Sequence, residues 1–194
     1  KVRSQYLKEI GQYSYSGLAK KLLQKNHSRG SVAIVGSGQL CLDLLKVLSK
    51  RYDIHVCARN QQKVEELSEQ FDFTPLAWER RDLLKNSTSI INTVGAENTV
   101  LFSHDFFDQW SSFQQTSEQG LFIDLGSPSV LDTDLSISDG VYRLTDIFTE
   151  GGRMNEIKEQ KVKNAKNAIQ ELTKKRTQTF GIHFPYGWEE LQFV

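Results

Sequence analysis

The chain has 194 residues, with 24 basic and 24 acidic side chains that cancel to a formal charge of zero. A neutral chain has no general electrostatic attraction to nucleic acid or to an anionic membrane, and 38% apolar with 25% charged residues is the composition of a folded domain that buries its own core. Its two cysteines, Cys41 and Cys57, make neither a C-x-x-C pair nor a disulfide framework. With no signal peptide and no apolar run near about 18 residues, no membrane span is expected, and a reducing cytoplasm is the expected compartment. The chain opens Lys-Val-Arg without an initiator methionine, so it is expected to be a piece of something longer.

Residues 1–30 read as a polar, aromatic lead-in (1–13) and a short helix, about Ser14 to Gln24, with Leu18, Ala19 and Leu22 on one side. "NHSRG" breaks it. "SVAIVG" (Ser31–Gly36) is a continuous apolar run rich in β-branched residues, as expected of a strand buried on both faces. Leu40, Leu44, Leu45 and Leu48 follow at helical spacing. "DIHVCA" (Asp53–Ala58) is a second strand, and "NQQKVEELSEQF" a second helix with Val64, Leu67 and Phe71 on its apolar side. This alternation marks a βαβ unit and a parallel sheet.

Further strands are expected at Phe73–Leu76, Thr88–Gly95, Gly120–Gly126 and Gly140–Asp146. Residues 31–146 are therefore expected to form an α/β domain, a doubly wound and mostly parallel six-stranded sheet. Residues 147–194 are expected to be a linking helix and a short aromatic tail. That helix reads from about Asp146 to Phe180, with an interruption at Gly151–Gly152 and a narrow stripe through Ile157, Val162, Ala165, Ala168, Ile169 and Leu172.

The turn between the first strand and its helix carries the chemistry. In "VGSGQLC", Gly36 lets the chain turn sharply and Gly38 lets backbone N–H groups approach a pyrophosphate. Ser37, Gln39 and Leu40 complete the turn, and the helix beginning near Gln39 offers its unpaired N–H groups and the positive end of its dipole. Cys41 stands where a third glycine would give close helix-on-strand packing, and is small enough to be accommodated with a slightly wider gap. The second strand ends "CARNQQK" without the acidic residue that holds an NAD ribose. Arg59, Asn60 and Lys63 stand there instead and suit a 2′-phosphate, so NADPH is the expected cofactor. At the end of the fourth strand, "NTVGA" places Thr93, Val94 and Gly95 where the backbone could pass the nicotinamide end.

No catalytic residue is expected within the chain. Cys41 and Cys57 read as small buried residues, and Asp124 and Asp146 as caps. His27, His55, His104 and His183 are scattered without ligand spacing, so no metal is expected.

The succession of motifs resembles the NADPH-binding domain of the glutamyl-tRNA reductase family. "VAIVGSGQLC" falls on that family's I-V-G-A-G-x-M-G, "CARN" on its A-N-R-T, "IINTVGA" on I-S-S-T-G-A, "LFIDLGSPSVLD" on I-D-x-x-x-P-R-D-I-D, and "GVYRLTDIF" on the segment that leads into the long helix. Lys1–Gly11 and "YSYSGLAKKLL" resemble the stretches before the first strand. Cys41 in place of the third glycine and Ser129 in place of the arginine after the proline depart from the pattern. The resemblance implies a Rossmann-like domain that holds NADPH. A separate domain's cysteine forms a thioester from glutamyl-tRNA, whose reduction releases glutamate 1-semialdehyde for tetrapyrrole synthesis. It also implies a homodimer in the full-length enzyme and a downstream aminotransferase as partner, with glutamyl-tRNA reached through the absent domain. Two alternatives remain: an NADP-dependent dehydrogenase domain of the shikimate dehydrogenase type, and a Rossmann-like interaction domain that has lost its cofactor.

Overall fold

A computed structural model describes residues 14–26, 30–113, 120–132 and 134–183. The described residues divide into two compact units, one running to Gly151 and the other from Gly152. The expected lead-in, the "NHSRG" break apart from its flanking residues, and the aromatic tail fall outside the described residues.

The first unit begins with helix α1 (Tyr15–Lys25), capped by Ser14, whose Oγ accepts the Gly17 N–H at 3.1 Å. Strand β1 (Ser31–Val35), helix α2 (Gln39–Leu48), strand β2 (Asp53–Cys57) and helix α3 (Gln61–Ser68) follow. Strand β3 (Thr74–Leu76) carries Pro75 at the sheet's edge, where a missing N–H is tolerated. A 3-10 segment (Trp78–Asn86) leads to β4 (Ser89–Asn92). Then come β5 (Phe102–Ser103), α4 (His104–Phe113), β6 (Leu121–Asp124), β7 (Leu131–Asp132), a 3-10 turn (Ile137–Asp139), β8 (Val141–Arg143) and α5 (Leu144–His183). Six strands lie in the order β3-β2-β1-β4-β6-β8, each pair parallel, while β5 and β7 form a separate two-stranded ribbon. This is the doubly wound, Rossmann-like sheet the sequence calls for. Its order reverses between β1 and β4, which opens a crevice at their carboxyl ends.

One face of the sheet bears Ala33, Val35, Cys57, Ile90, Phe122 and Val141, covered by Leu84, Phe102, Phe107, Trp110 and Val130. Fully buried Phe122 is the hub, with ring centroids of Phe102 at 4.9 Å, Phe107 at 5.0 Å and Trp110 at 6.1 Å. Trp110 Nε1 donates to Ser87 O at 2.8 Å, so the indole's polar edge is satisfied inside the core. By strand alternation Ile34, Ile54, Ile91 and Ile123 point the other way, on the side of the fully buried Leu23, Leu44, Leu45 and Leu48 of α1 and α2.

Three features differ from the sequence reading. The last strand stops at Arg143, because Asp146 Oδ2 accepts the Arg143 N–H at 2.8 Å and starts the long helix at Leu144. That helix continues through Gly151–Gly152 without interruption. A Cβ on Gly151 would lie 3.3 Å from Leu18 Cδ1, so this glycine serves close packing against α1. Finally, α4 occupies a stretch with no clear helical signal, since its aromatic and polar residues are weak helix formers held by the Phe122 cluster, and the 3-10 segment sends Leu84 into the same cluster.

Candidate functional site

Gly36 leaves β1 with φ +115°, a conformation that strongly favours glycine. Its N–H donates to Cys57 O at 2.9 Å, tying the turn to the end of β2, and a Cβ here would collide with the Thr93 hydroxyl. Gly38 is different. It caps α2 with extended backbone (φ −81°), its side-chain position faces open space, and no side chain caps the helix. The first N–H groups of α2 are therefore presented outward, the arrangement that receives an anion. Ser37 is half-buried within the turn; Gln39 is exposed, its amide bonded to Asp43 at 3.1 Å, and Leu40 is half-buried.

Cys41 points the other way. It is fully buried, and burial pushes its thiol up to about 12, with the Lys63 charge pulling in the opposite direction. The thiol fills the helix–sheet interface that a third glycine would leave narrower, and does not obstruct the outward face of the loop. Lys63 thus lies within electrostatic reach of the loop. Arg59 and Asn60 are exposed just past the end of β2, but Asn60 Oδ1 is already engaged, capping α3 by accepting the Lys63 N–H at 3.0 Å. Cys57 is likewise buried, its thiol raised to about 11 chiefly by burial. Neither cysteine is a thiolate at neutral pH.

Thr93 and Gly95 do something the sequence did not show. The Thr93 hydroxyl donates to Val35 O at 2.8 Å, locking the exit of β4 onto the exit of β1. The space beside Gly95 is taken by the backbone of Ser127, and that beside Gly126 by Val94 O. These glycines let the loops after β4 and β6 press together, joined by Ala96 N–H to Pro128 O at 3.3 Å. Val94 is held at both ends by Asn92, through its N–H at 3.1 Å and its O at 2.8 Å.

A polar chain runs along the same edge. Asn92 Nδ2 donates to Asp124 Oδ1 at 2.7 Å, and both side chains are buried. Gly126 N–H reaches the same oxygen at 3.1 Å, Ser129 Oγ donates to Asp124 Oδ2 at 2.6 Å, and Arg143 Nη1 donates to Ser129 Oγ at 3.3 Å. Sequence reading recognised Asp124 and Asp146 as caps but not this chain; Ser129, at the departing position, is its middle link. Asn92, Asp124 and Arg143 are register partners on neighbouring strands, a pairing set by the sheet and not displayed by the sequence. Among the described residues no three His, Cys, Asp or Glu side chains converge to hold a metal, and no helix is long and apolar enough to cross a membrane.

The nucleotide-binding domain of glutamyl-tRNA reductase from Thermoplasma volcanium is similar in fold, with a TM-score of 0.62 and 22% identity over 77% of this chain and 99% of that one. Glutamyl-tRNA reductase from Methanopyrus kandleri gives a TM-score of 0.60 at 15% identity, over 90% of this chain and 48% of that one. The dipicolinate synthase structure from Bacillus halodurans gives 0.52 at 14%, over 74% and 52%. The chain thus spans about half the length of the latter two proteins. No curated protein sequence matches. The profile of the shikimate / quinate 5-dehydrogenase family matches residues 17–147, well over half of the sequence. On that match the chain belongs to the shikimate / quinate 5-dehydrogenase family of pyridine-nucleotide-binding oxidoreductase domains.

Proposed function

We propose that the chain is the NADPH-holding domain of a glutamyl-tRNA reductase. The observation that carries the nucleotide reading is the outward-facing Gly38 turn at the head of α2, uncapped and unobstructed although Cys41 replaces the third glycine. The fit is chemical as well as steric: N–H groups and a helix dipole suit a pyrophosphate, and Arg59 and Lys63 past the end of β2 suit a 2′-phosphate. When bound, the nicotinamide would supply a hydride. The chain's own part is to grip the phosphates at Gly36–Leu40, to orient the dinucleotide along the β1–β4 crevice, and to give it a rigid floor. That floor is the Thr93 lock with the joined loops after β4 and β6. Neither thiol can serve as the nucleophile, since both are buried and protonated. The thioester chemistry belongs to another domain.

The glutamyl-tRNA reading is supported by the motif succession and by the match in extent to the Thermoplasma nucleotide-binding domain. It is tested by supplying the chain in trans to the thioester-forming domain of a glutamyl-tRNA reductase, with glutamyl-tRNA and NADPH. Glutamate 1-semialdehyde should appear only when both are present, and its absence despite NADPH binding would contradict the reading. The family match favours a second reading, an NADP-dependent dehydrogenase of the shikimate type. Its catalytic Lys–Asp pair would come from a substrate domain. Reduction of NADP by shikimate in the presence of such a domain would favour it.

A further inference from the structure

A cavity of about 410 Å³ opens beside the carboxyl end of β1, between the 3-10 segment after β3 and the β5–α4 corner. Val35, Trp78, Leu101, Phe102 and Phe106 give it apolar walls, and its size is that of a small-ligand site. Two cations border it. Lys85 is committed, its ammonium donating to Gln109 on α4. Arg81 is exposed and rests on Trp78, three residues away. Its guanidinium carbon stands 5.4 Å from the indole centroid, and Nη1 donates to the Trp78 carbonyl at 3.3 Å. Such a contact holds a guanidinium in place without neutralising it. The segment that carries Arg81 starts at the end of β2: Cys57, the last residue of β2 and two residues before Arg59, pairs with Leu76 at the end of β3, and its thiol lies 4.0 Å from the Ala77 carbonyl. The 3-10 segment that bears Arg81 therefore begins beside the end of β2, just before Arg59.

We propose that Arg81, seated on Trp78, is a specificity-determining residue that reads the 2′ substituent of the adenosine ribose from the segment after β3. The inference rests on the pyridine-nucleotide reading above. An NADPH-type ligand brings a doubly charged 2′-phosphate, and a planar guanidinium can bind it through two parallel N–H donors. Two carboxylates oppose it, Glu79 and Asp82, both on the border of the cavity. A carboxylate at that place would favour a free 2′-hydroxyl and repel a phosphate. A 2′-phosphate would meet Arg81 from this side and Arg59 and Lys63 from beyond the end of β2.

The test is calorimetric titration of the whole chain and of Arg81→Gln, Arg81→Lys and Glu79→Gln with NADPH, NADH, adenosine 2′,5′-bisphosphate and reduced nicotinamide mononucleotide, with thermal midpoints as a folding control. Arg81→Gln should weaken NADPH and the bisphosphate by about ten-fold or more, the scale of a lost charge-assisted pair. NADH and the mononucleotide should change less than about two-fold. Arg81→Lys should restore part of the loss, and Glu79→Gln should strengthen NADPH. Equal losses for NADPH and NADH, or no change for either in a chain that binds NADPH, overturn the assignment of Arg81 alone. A stronger NADH loss in Glu79→Gln would give the 2′ position to that carboxylate. Failure of the wild-type chain to bind any nucleotide would overturn the nucleotide reading itself.

Discussion

Cys41 shows how far a motif can drift when its positions do separate jobs. Gly36 is fixed by its φ of +115° and by the Thr93 hydroxyl against it; Gly36→Ala should cost about 2–3 kcal/mol in chemical denaturation. Position 41 faces the core and has only to fill space. Restoring glycine there, as the family pattern suggests, should destabilise the chain by about 2 kcal/mol, through a lost buried side chain and a glycine within a helix. NADPH affinity should stay the same, and a gain in affinity would contradict this account of the loop. The two thiols also predict an alkaline transition. Both folded values are raised, to about 12 and about 11, above an ordinary value of 9.0. Their contribution is thus fully present below pH 9 and is lost as the pH rises toward those values, because the unfolded chain ionises first. A denaturation midpoint that falls between pH 9 and 11, with the fall reduced in Cys41→Ala/Cys57→Ala, is the expected result. The sharp turn at Gly36 and the place of Arg59 just after β2 were legible because each depends on local residue types. The inward aim of Cys41 was not, since only the packed interface sets it.

Among the elements, those whose residues declare a period were legible in the sequence: β1, α2, β2, α3, β4 and β6 follow from apolar runs and helical spacing. The aromatic helix α4 was not, because Phe106, Phe107 and Trp110 become helical only by packing on Phe122. Phe122→Ala should therefore remove about 3–5 kcal/mol, and the loss should extend to α4 as reduced hydrogen-exchange protection. The polar chain at the sheet's edge escaped sequence reading because its links are 32, 5 and 14 residues apart. Ser129→Ala leaves buried Asp124 without its Oδ2 donor, which should cost about 1–3 kcal/mol. The same variant should loosen the joined loops after β4 and β6, as seen in their amide exchange.

Over the whole first unit, stability and binding are carried by different faces of the same elements. Both faces of the sheet hold the core, while the carboxyl ends of its strands hold the turn, the lock and the cavity. Gly38 lies on the binding side alone. A Cβ there meets nothing within 4 Å, and its φ of −81° accepts any residue. Aspartate at this cap should stabilise α2 by a few tenths of a kcal/mol while placing a negative charge where the pyrophosphate would sit. The most direct measurement is a calorimetric titration of the wild-type chain and Gly38→Asp with NADPH, alongside their thermal midpoints. Saturable one-to-one binding by the wild type, lost in a Gly38→Asp variant that melts at the same temperature or higher, is the predicted result. Equal NADPH binding by the two chains, or none by the wild type, would contradict the assignment of this turn as the nucleotide site.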